Sequence, residues 1–374
     1  MTETADFIVI GAGIAGASAA YFLSASGRVI LLERESGPGY HSTGRSAAVF
    51  TETYGNETIR ALAKTSRAFL SDPPQGFADH SLLSPRGLLY TGSEQQQANL
   101  EETYRSAHKL VDSVRRLSPA EAIDLVPVLK KKKIAGAVYE PEAMDIDVDA
   151  LLTGYLRGLA GNGGRLLTGA EVTGLARVDG SWQVTTQTGS YTAEVVVNAA
   201  GAWCDLTAEM ASARKLGLSP LRRTVILFDS PEGLDSGPWP LCVDQDEGFY
   251  FKPYAGRILA SPADETPAQP CDAQPEEIDV ATVADLIERF TTMRIKRISH
   301  KWAGLRTFAS DHTPVAGFDP DQTGFFWLAG QGGYGIKTSP ALGRITAGLI
   351  LNGEIPQELR DAGIRSQRLA ADRF

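Results

Sequence analysis

The sequence predicts an α/β fold, a Rossmann-type nucleotide-binding domain with an interleaved α+β substrate-binding domain. Three observations predict it. A strand, a glycine turn, a helix and a second strand succeed one another before residue 34. Short apolar strands and helical stretches then mix, with no internal repeat and no low-complexity linker. A second strand, glycine turn and helix close the chain after Phe325. At 374 residues the chain has room for about two domains and a large core.

The elements follow in order. Phe7 to Ile10 is an apolar run ending in glycine, the pattern of a strand buried on both faces. Apolar residues at helical spacing run from Ile14 to about Ser26, and Val29 to Leu32 reads as a second buried strand. Helices are expected over 56–70, 94–108 and 147–160. Ser118-Pro119-Ala120-Glu121 is a helix start, with serine as cap, proline in the first turn and glutamate completing a capping box. Strands are expected over 88–90, 182–185, 191–197, 224–228, 249–252 and 258–260. The last quarter gives a strand over 325–329, a glycine-rich turn and a helix from Ser339 to Leu351. Because the two kinds of segment mix, residues 1–85, 140–215 and 300–374 are assigned to the nucleotide-binding domain. Residues 86–139 and 216–299 are assigned to the substrate-binding domain.

Composition excludes several classes. A net charge of −9 argues against a broad nucleic-acid surface. The three cysteines, Cys204, Cys242 and Cys271, are far apart and form no CxxC pair. Neither a zinc knuckle nor a disulfide framework is expected, which suits a reducing cytoplasm. No metal is expected: the five histidines form no i, i+4 pair. The Asp145–Asp149 alternation is no calcium loop, because Ala150 and Leu156 stand where Gly and Glu are required. The opening residues have no basic stretch before an apolar run, so no signal peptide is expected. No window is apolar enough for a transmembrane helix. Lys130 to Lys133 reads as a solvated turn, and peripheral contact with an acidic inner-membrane surface stays open.

Chemistry is concentrated in four stretches. Gly11-Ala12-Gly13-Ile14-Ala15-Gly16 fits GxGxxG between a strand and a helix, and Glu33 ends the following strand. The glycines let backbone approach a pyrophosphate, the helix N-terminus attracts it, and an acid at that place accepts from ribose hydroxyls. A long polar loop, His41-Ser42-Thr43-Gly44-Arg45-Ser46-Ala47-Ala48, follows. It favours a flavin over a nicotinamide, since FAD needs backbone beside its second phosphate and its ring; Arg45 and Ser46 are candidate donors. Val195 to Trp203 ends in small residues, Ala200 and Gly201 among them, that allow close approach to a cofactor. The stretch from Gly330 through Gly332, Gly333, Tyr334, Gly335, Ile336, Lys337 and Thr338 can aim a helix N-terminus at the flavin.

These motifs resemble the D-amino-acid oxidase superfamily of FAD-dependent oxidoreductases, which includes glycine and sarcosine oxidases. Within it the chain most resembles bacterial catabolic D-arginine dehydrogenases. The likeness is carried by GAGIAGAS (11–18), LERE (32–35), GYHSTGRSAA (39–48), VNAAGAWCD (197–205), WAGLR (302–306) and AGQGGYGIKTS (329–339). It implies non-covalent FAD, because the linking cysteine of sarcosine-oxidase-like relatives falls near Thr307. It adds Arg34, Trp203, Val172 and Gly304 to the cofactor contacts. It also implies that Arg223, Arg306 and Tyr250 hold a substrate carboxylate, that Tyr54 stands over the site, and that the Gly333 carbonyl accepts from the substrate amine. Two positions depart from the D-arginine enzymes: Leu88 replaces a glutamate and Val49 a histidine. With Thr51, Leu241 and Val243 beside them, the side-chain pocket is expected to be apolar and to lack an acid.

The expected activity is therefore FAD-dependent oxidative deamination of D-amino acids with neutral or hydrophobic side chains, by a dehydrogenase or an oxidase. The same clamp suits oxidation of N-methyl or secondary amino acids or of 2-hydroxy acids. A flavin-binding module that docks to a partner without turnover is the rival from another class. The motifs are compatible with oxygen or a quinone as electron acceptor.

Overall fold

A computed structural model describes residues 3–374. Two sheets dominate. The first has six strands in the order Arg165–Leu167, Val29–Leu32, Phe7–Ile10, Val195–Asn198, Phe325–Ala329, Val315–Phe318. Its first five are parallel, and only the Val315–Phe318 edge is antiparallel. Phe7–Ile10 and Val29–Leu32 are buried at every position, as unbroken apolar runs in a covered parallel sheet should be. Helices Ile14–Ser24 and Gly335–Asn352 pack on each other and on this sheet through Ala19, Leu23, Ala341 and Ile345.

The second sheet has nine strands and is mostly antiparallel. Ser219–Asp229 pairs with Arg257–Ser261, which pairs with Tyr250–Tyr254, Leu241–Asp244, Leu88–Gly92, Gly136–Glu140 and Arg115–Leu117 in turn. Ile298–Phe308 hydrogen-bonds along the Ser219–Asp229 strand. Smaller sheets of four and three strands complete the molecule. Chain segments alternate between the two large sheets, so the interleaving expected from the sequence is visible in strand membership.

The Ser118 capping box is present, and two further helices are capped by side chains. The Asn56 side chain accepts from Ile59 N at 3.0 Å and Asp147 from Ala150 N at 2.9 Å, and Ser118 and Glu121 form the reciprocal box.

Four expectations need correction. The stretch 191–197 is two strands, not one: Ser190–Ala193 joins the four-stranded sheet and Val195–Asn198 the six-stranded sheet. The C-terminal helix begins at Gly335 rather than Ser339 and contains Pro340. Proline cannot donate to the Ile336 carbonyl four residues back, and the Ser339 hydroxyl donates to that carbonyl at 3.0 Å instead. Residues 94–108 open with a 3₁₀ turn, Glu94–Gln96, before the α-helix Gln97–His108. Helix Glu277–Phe290 and strand Ile298–Phe308 were not expected from the sequence; the strand, divided at residue 300 by the sequence-based boundary, is continuous within the large sheet.

Candidate active site

Sheet register builds the site. Arg223 lies opposite Gly304 and Leu221 opposite Arg306, so Arg223, Gly304 and Arg306 share one face of the antiparallel pair. On the same sheet Val243 lies opposite Tyr250 and Tyr90, and Leu88 opposite Leu241 and Glu140. Period-two alternation therefore turns both arginines, Tyr250, the apolar trio Leu88, Leu241 and Val243, and the acid Glu140 toward one region.

Two cavities meet there. The larger, about 470 Å³, runs from the Gly11–Ala15 turn past Glu33 to the start of the C-terminal helix. The smaller, about 110 Å³, lies under Tyr54. Ser46, Ala47, Arg223, Tyr250, Arg306 and Gly333 line both and form their common wall.

The large cavity suits a dinucleotide. Gly11 has φ +98°, and a Cβ there would lie 2.6 Å from the Ala199 carbonyl oxygen; a Cβ on Gly16 would lie 1.8 Å from the Gly11 oxygen. Only glycine permits this turn beside the end of the Val195–Asn198 strand. Glu33 is buried; its carboxylate accepts from Ala12 N at 2.8 Å and Glu35 N at 3.0 Å, one bond on each oxygen, which leaves lone pairs toward the cavity. Two buried polar atoms in its wall, Thr307 Oγ1 and Gln331 Nε2, have no protein partner. Unpaired buried groups of this kind are costly unless a ligand satisfies them, so the residues present fit FAD.

At the far end, Arg34 lies 5.0 Å from the centre of the Trp203 ring, and the His41 ring packs against it at a tilt of 48°, ring centres 4.7 Å apart. His41 Nε2 is 2.9 Å from Glu35. Thr43 Oγ1 accepts from Ile14 N at 3.0 Å, and Ser42 Oγ donates to the Leu305 carbonyl at 2.6 Å, stitching the 39–48 loop to the first helix and to the long strand. Val172, Ala200, Gly201, Gly304, Gly332, Gly335 and Ile336 also line this cavity.

The remaining candidate cofactor residues are placed differently. Arg45 borders the cavity, but its guanidinium donates to the carbonyls of Tyr40, Ala273 and Ala303 and to Asp272, so it ties loops together instead of offering donors to a phosphate. Gly16 supports the turn from behind. Thr338 Oγ1 donates to the Tyr334 carbonyl at 3.0 Å, inside the helix start. Tyr334 packs on Tyr54, ring centres 5.3 Å apart. Ala48 and Lys337 line the small cavity and not the large one.

The small cavity collects Tyr54, Arg223, Tyr250, Arg306 and Gly333 together with Val49, Thr51, Leu88, Leu241 and Val243. Its two arginines are not equivalent. Arg223 Nε donates to the Asp264 carbonyl at 2.8 Å and Nη2 to Glu265 at 3.0 Å. Half-buried Arg306 interacts with its neighbours only at longer range, with Tyr250, Tyr54, Glu247 and Glu265, and none of its five donors has a hydrogen-bond partner among the described residues.

Three lining residues were missed in the sequence: Tyr90, Lys337 as a pocket residue, and Glu247. Glu247 corrects the expectation that the pocket has no acid. It sits on the turn after Leu241–Asp244 with φ +55°, and its carboxylate accepts from the Tyr54 hydroxyl at 3.1 Å. Only the turn geometry brings it over the pocket. Glu52, by contrast, pairs with Arg67 at 2.5 Å and is not a pocket residue.

Among the described residues no group of His, Cys, Asp and Glu is arranged to hold a metal ion, and no helix is long and apolar enough to cross a membrane. Cys204 and Cys242 are buried, and burial pushes both thiols well above their usual range; Cys271 is exposed and lines neither cavity.

Comparison with known proteins agrees with this geometry. The chain is 25% identical to the mitochondrial sarcosine dehydrogenase of Mus musculus over 98% of its own length, and spans 42% of that protein. It is 24% identical to the glycine oxidase of Geobacillus kaustophilus, with 96% of each chain covered. Among solved structures, the L-proline dehydrogenase of P. horikoshii superposes with a TM-score of 0.84 at 21% identity, covering 100% of this chain and 98% of that one. The G. kaustophilus glycine oxidase structure gives 0.80 at 23% identity, covering 93% and 95%. Residues 6–349 match the family described as "DAO: FAD dependent oxidoreductase", and the chain belongs to that family.

Proposed function

We propose that the protein oxidises the Cα–N bond of D-amino acids with neutral, mostly apolar side chains, yielding the 2-oxo acid and ammonia. The observation that carries this reading is Arg306, a guanidinium with no protein hydrogen-bond partner on the wall between the cofactor cavity and the small pocket. A guanidinium whose donors meet no acceptor among the described residues, with Glu247 and Glu265 acting on it only at longer range, suits a ligand carboxylate.

FAD, when bound in the large cavity, supplies two-electron oxidation. The chain supplies position. Arg306, the Tyr250 hydroxyl and the remaining donors of Arg223 hold the carboxylate. The Gly333 carbonyl accepts from the amine. Val49, Leu88, Leu241 and Val243 offer the side chain an apolar wall, with Thr51 at its edge. The Tyr54 hydroxyl donates to Glu247 at the edge of the pocket and engages one of that carboxylate's acceptor positions. Fixing the substrate in this way accounts for a large part of the rate by orientation alone. The proposed division of labour follows the sheets, the six-stranded sheet carrying FAD and the nine-stranded sheet the substrate.

A second reading, oxidation of N-methyl or secondary amino acids, is favoured by the likeness to a sarcosine dehydrogenase and by the same clamp. The deciding experiment incubates the holoenzyme with paired D-amino acids and their N-methyl forms, with oxygen and with an artificial acceptor, and identifies products. Ammonia and a 2-oxo acid from D-Leu, D-Met or D-Phe support the first reading. Turnover of the N-methyl forms alone, with release of formaldehyde or methylamine, replaces it with the second.

A further inference from the structure

Lys337 is buried, 4% exposed, one helical turn beyond Gly333, and both residues line the small cavity. Its Nζ donates to the Thr51 carbonyl at 2.9 Å and the Tyr54 carbonyl at 3.0 Å. A lysine nitrogen has three positions beyond its chain. Two are taken by these carbonyls. The third is an N–H when the group is charged and a lone pair when it is neutral.

The charged groups around it favour neither state strongly. Glu140, on the Gly136–Glu140 strand, is the main acid, but it is engaged by the Thr51 and Thr53 hydroxyls at 2.9 and 2.6 Å, and burial raises its own carboxyl pKa. Arg60, from the Glu57–Ser71 helix, opposes the ammonium; Glu52, before that helix, supports it while paired to Arg67. The rings of Tyr54 and Tyr334 stand 5.4 and 5.7 Å away. Tyr90, Glu247 and Arg306 complete the charged and titratable lining of the pocket. Burial dominates, and the Lys337 ammonium is pulled down to about 7.

We propose that Lys337 is the proton acceptor for the substrate's ammonium group. An N–H bond of the bound ammonium breaks, its electron pair stays on the substrate nitrogen, and the proton bonds to the Nζ lone pair. The substrate is left as a neutral amine, whose lone pair supports the C=N bond that forms as Cα is oxidised. The Gly333 carbonyl takes one of the remaining N–H groups. The two backbone carbonyls that hold Nζ also stabilise the newly formed ammonium. This step rests on the amine-oxidation reading above.

The test uses the FAD-loaded enzyme and its Lys337→Met and Lys337→Ala variants, each first shown to keep the wild-type flavin spectrum. The best amino acid of the substrate panel is followed from pH 5 to 10. In the wild type, kcat/KM should show a rising limb with an apparent pKa near 7. In Lys337→Met the limb should vanish and kcat/KM at neutral pH fall roughly 10²–10⁴-fold, the usual size of a general-base effect. Small primary amines should restore Lys337→Ala in proportion to their free-base concentration. Binding of a carboxylate that lacks an amine, read from the flavin spectrum, should stay within threefold. An unchanged limb in Lys337→Met, or loss of carboxylate binding in step with lost rate, overturns the proposal alone. A wild-type flavin that no amino acid reduces overturns the amine-oxidation reading and this step with it.

Discussion

Replacing Arg306 by alanine separates binding from folding in this site. The guanidinium has no protein hydrogen-bond partner to lose, so the change should not unravel the local structure. A carboxylate held by two of its N–H groups gains two charge-assisted bonds, each worth about 1.5–3 kcal/mol. Their loss, about 3–6 kcal/mol, corresponds to roughly 10²–10⁴ in affinity. Arg223 already donates to Asp264 and Glu265, so Arg223→Ala removes less from the ligand, roughly tenfold to a hundredfold, and disturbs two protein contacts as well. The assay is titration of the oxidised holoenzyme with a small unreactive carboxylate, followed by the change in flavin absorbance, beside a thermal melt without ligand. Arg306→Ala should abolish detectable binding, keep its FAD and melt no lower than wild type. An Arg306→Ala variant that binds within threefold of wild type, or one that melts far lower without ligand, refutes the reasoning.

Other outcomes follow from the same contacts. Gly16→Ala puts a Cβ 1.8 Å from the Gly11 oxygen and should leave the protein unfolded or free of FAD, as read by flavin content after purification. Denaturation should release intact FAD to the supernatant, since no cysteine lines the large cavity and Thr307 stands in its wall; flavin retained in the pellet would contradict this. The apolar wall gives about 25 cal/mol per Å² of buried side chain, so kcat/KM should be higher for D-Leu, D-Met or D-Phe than for D-Arg or D-Lys, and Leu88→Glu should shift the preference toward D-Arg. Burial lowers the folded-state pKa of Lys337 from 10.5 to about 7, so between those values the unfolded chain binds the extra proton and stability rises with pH. Lys337→Met removes that contribution: its stability gain over wild type, up to about 5 kcal/mol at 1.36 kcal/mol per pKa unit, should be largest below pH 7 and fade toward pH 10. A gain independent of pH would contradict it.

The cofactor half was legible because its signals are local. A buried parallel strand shows as an unbroken apolar run, and the GxGxxG turn is dictated by contacts such as Gly16 against Gly11, five residues apart. Helix starts at Asn56, Ser118 and Asp147 were legible for the same reason, since a cap and its partner lie three residues apart. The break between Ala193 and Val195 was not, because strand-forming residues stand on both sides of Glu194 and only tertiary pairing assigns them to different sheets. Most residues that line the small cavity were named from family likeness, yet its electrostatics were not legible. Glu247 reaches Tyr54 across 193 residues and Lys337 reaches Thr51 across 286, and no local pattern announces either. The acceptors of Arg45, far along the chain at Ala273 and Ala303, were likewise not legible, although the residue lines the large cavity.

Anaerobic mixing of the FAD-loaded protein with matched D- and L-enantiomers of leucine, methionine and phenylalanine tests the central claim most directly. The D-enantiomers should bleach the flavin in a single turnover while the L-enantiomers leave it oxidised, and Arg306→Ala should abolish the bleaching at the same concentrations. A flavin that stays oxidised with every D-amino acid, or that bleaches equally well in Arg306→Ala, would contradict it.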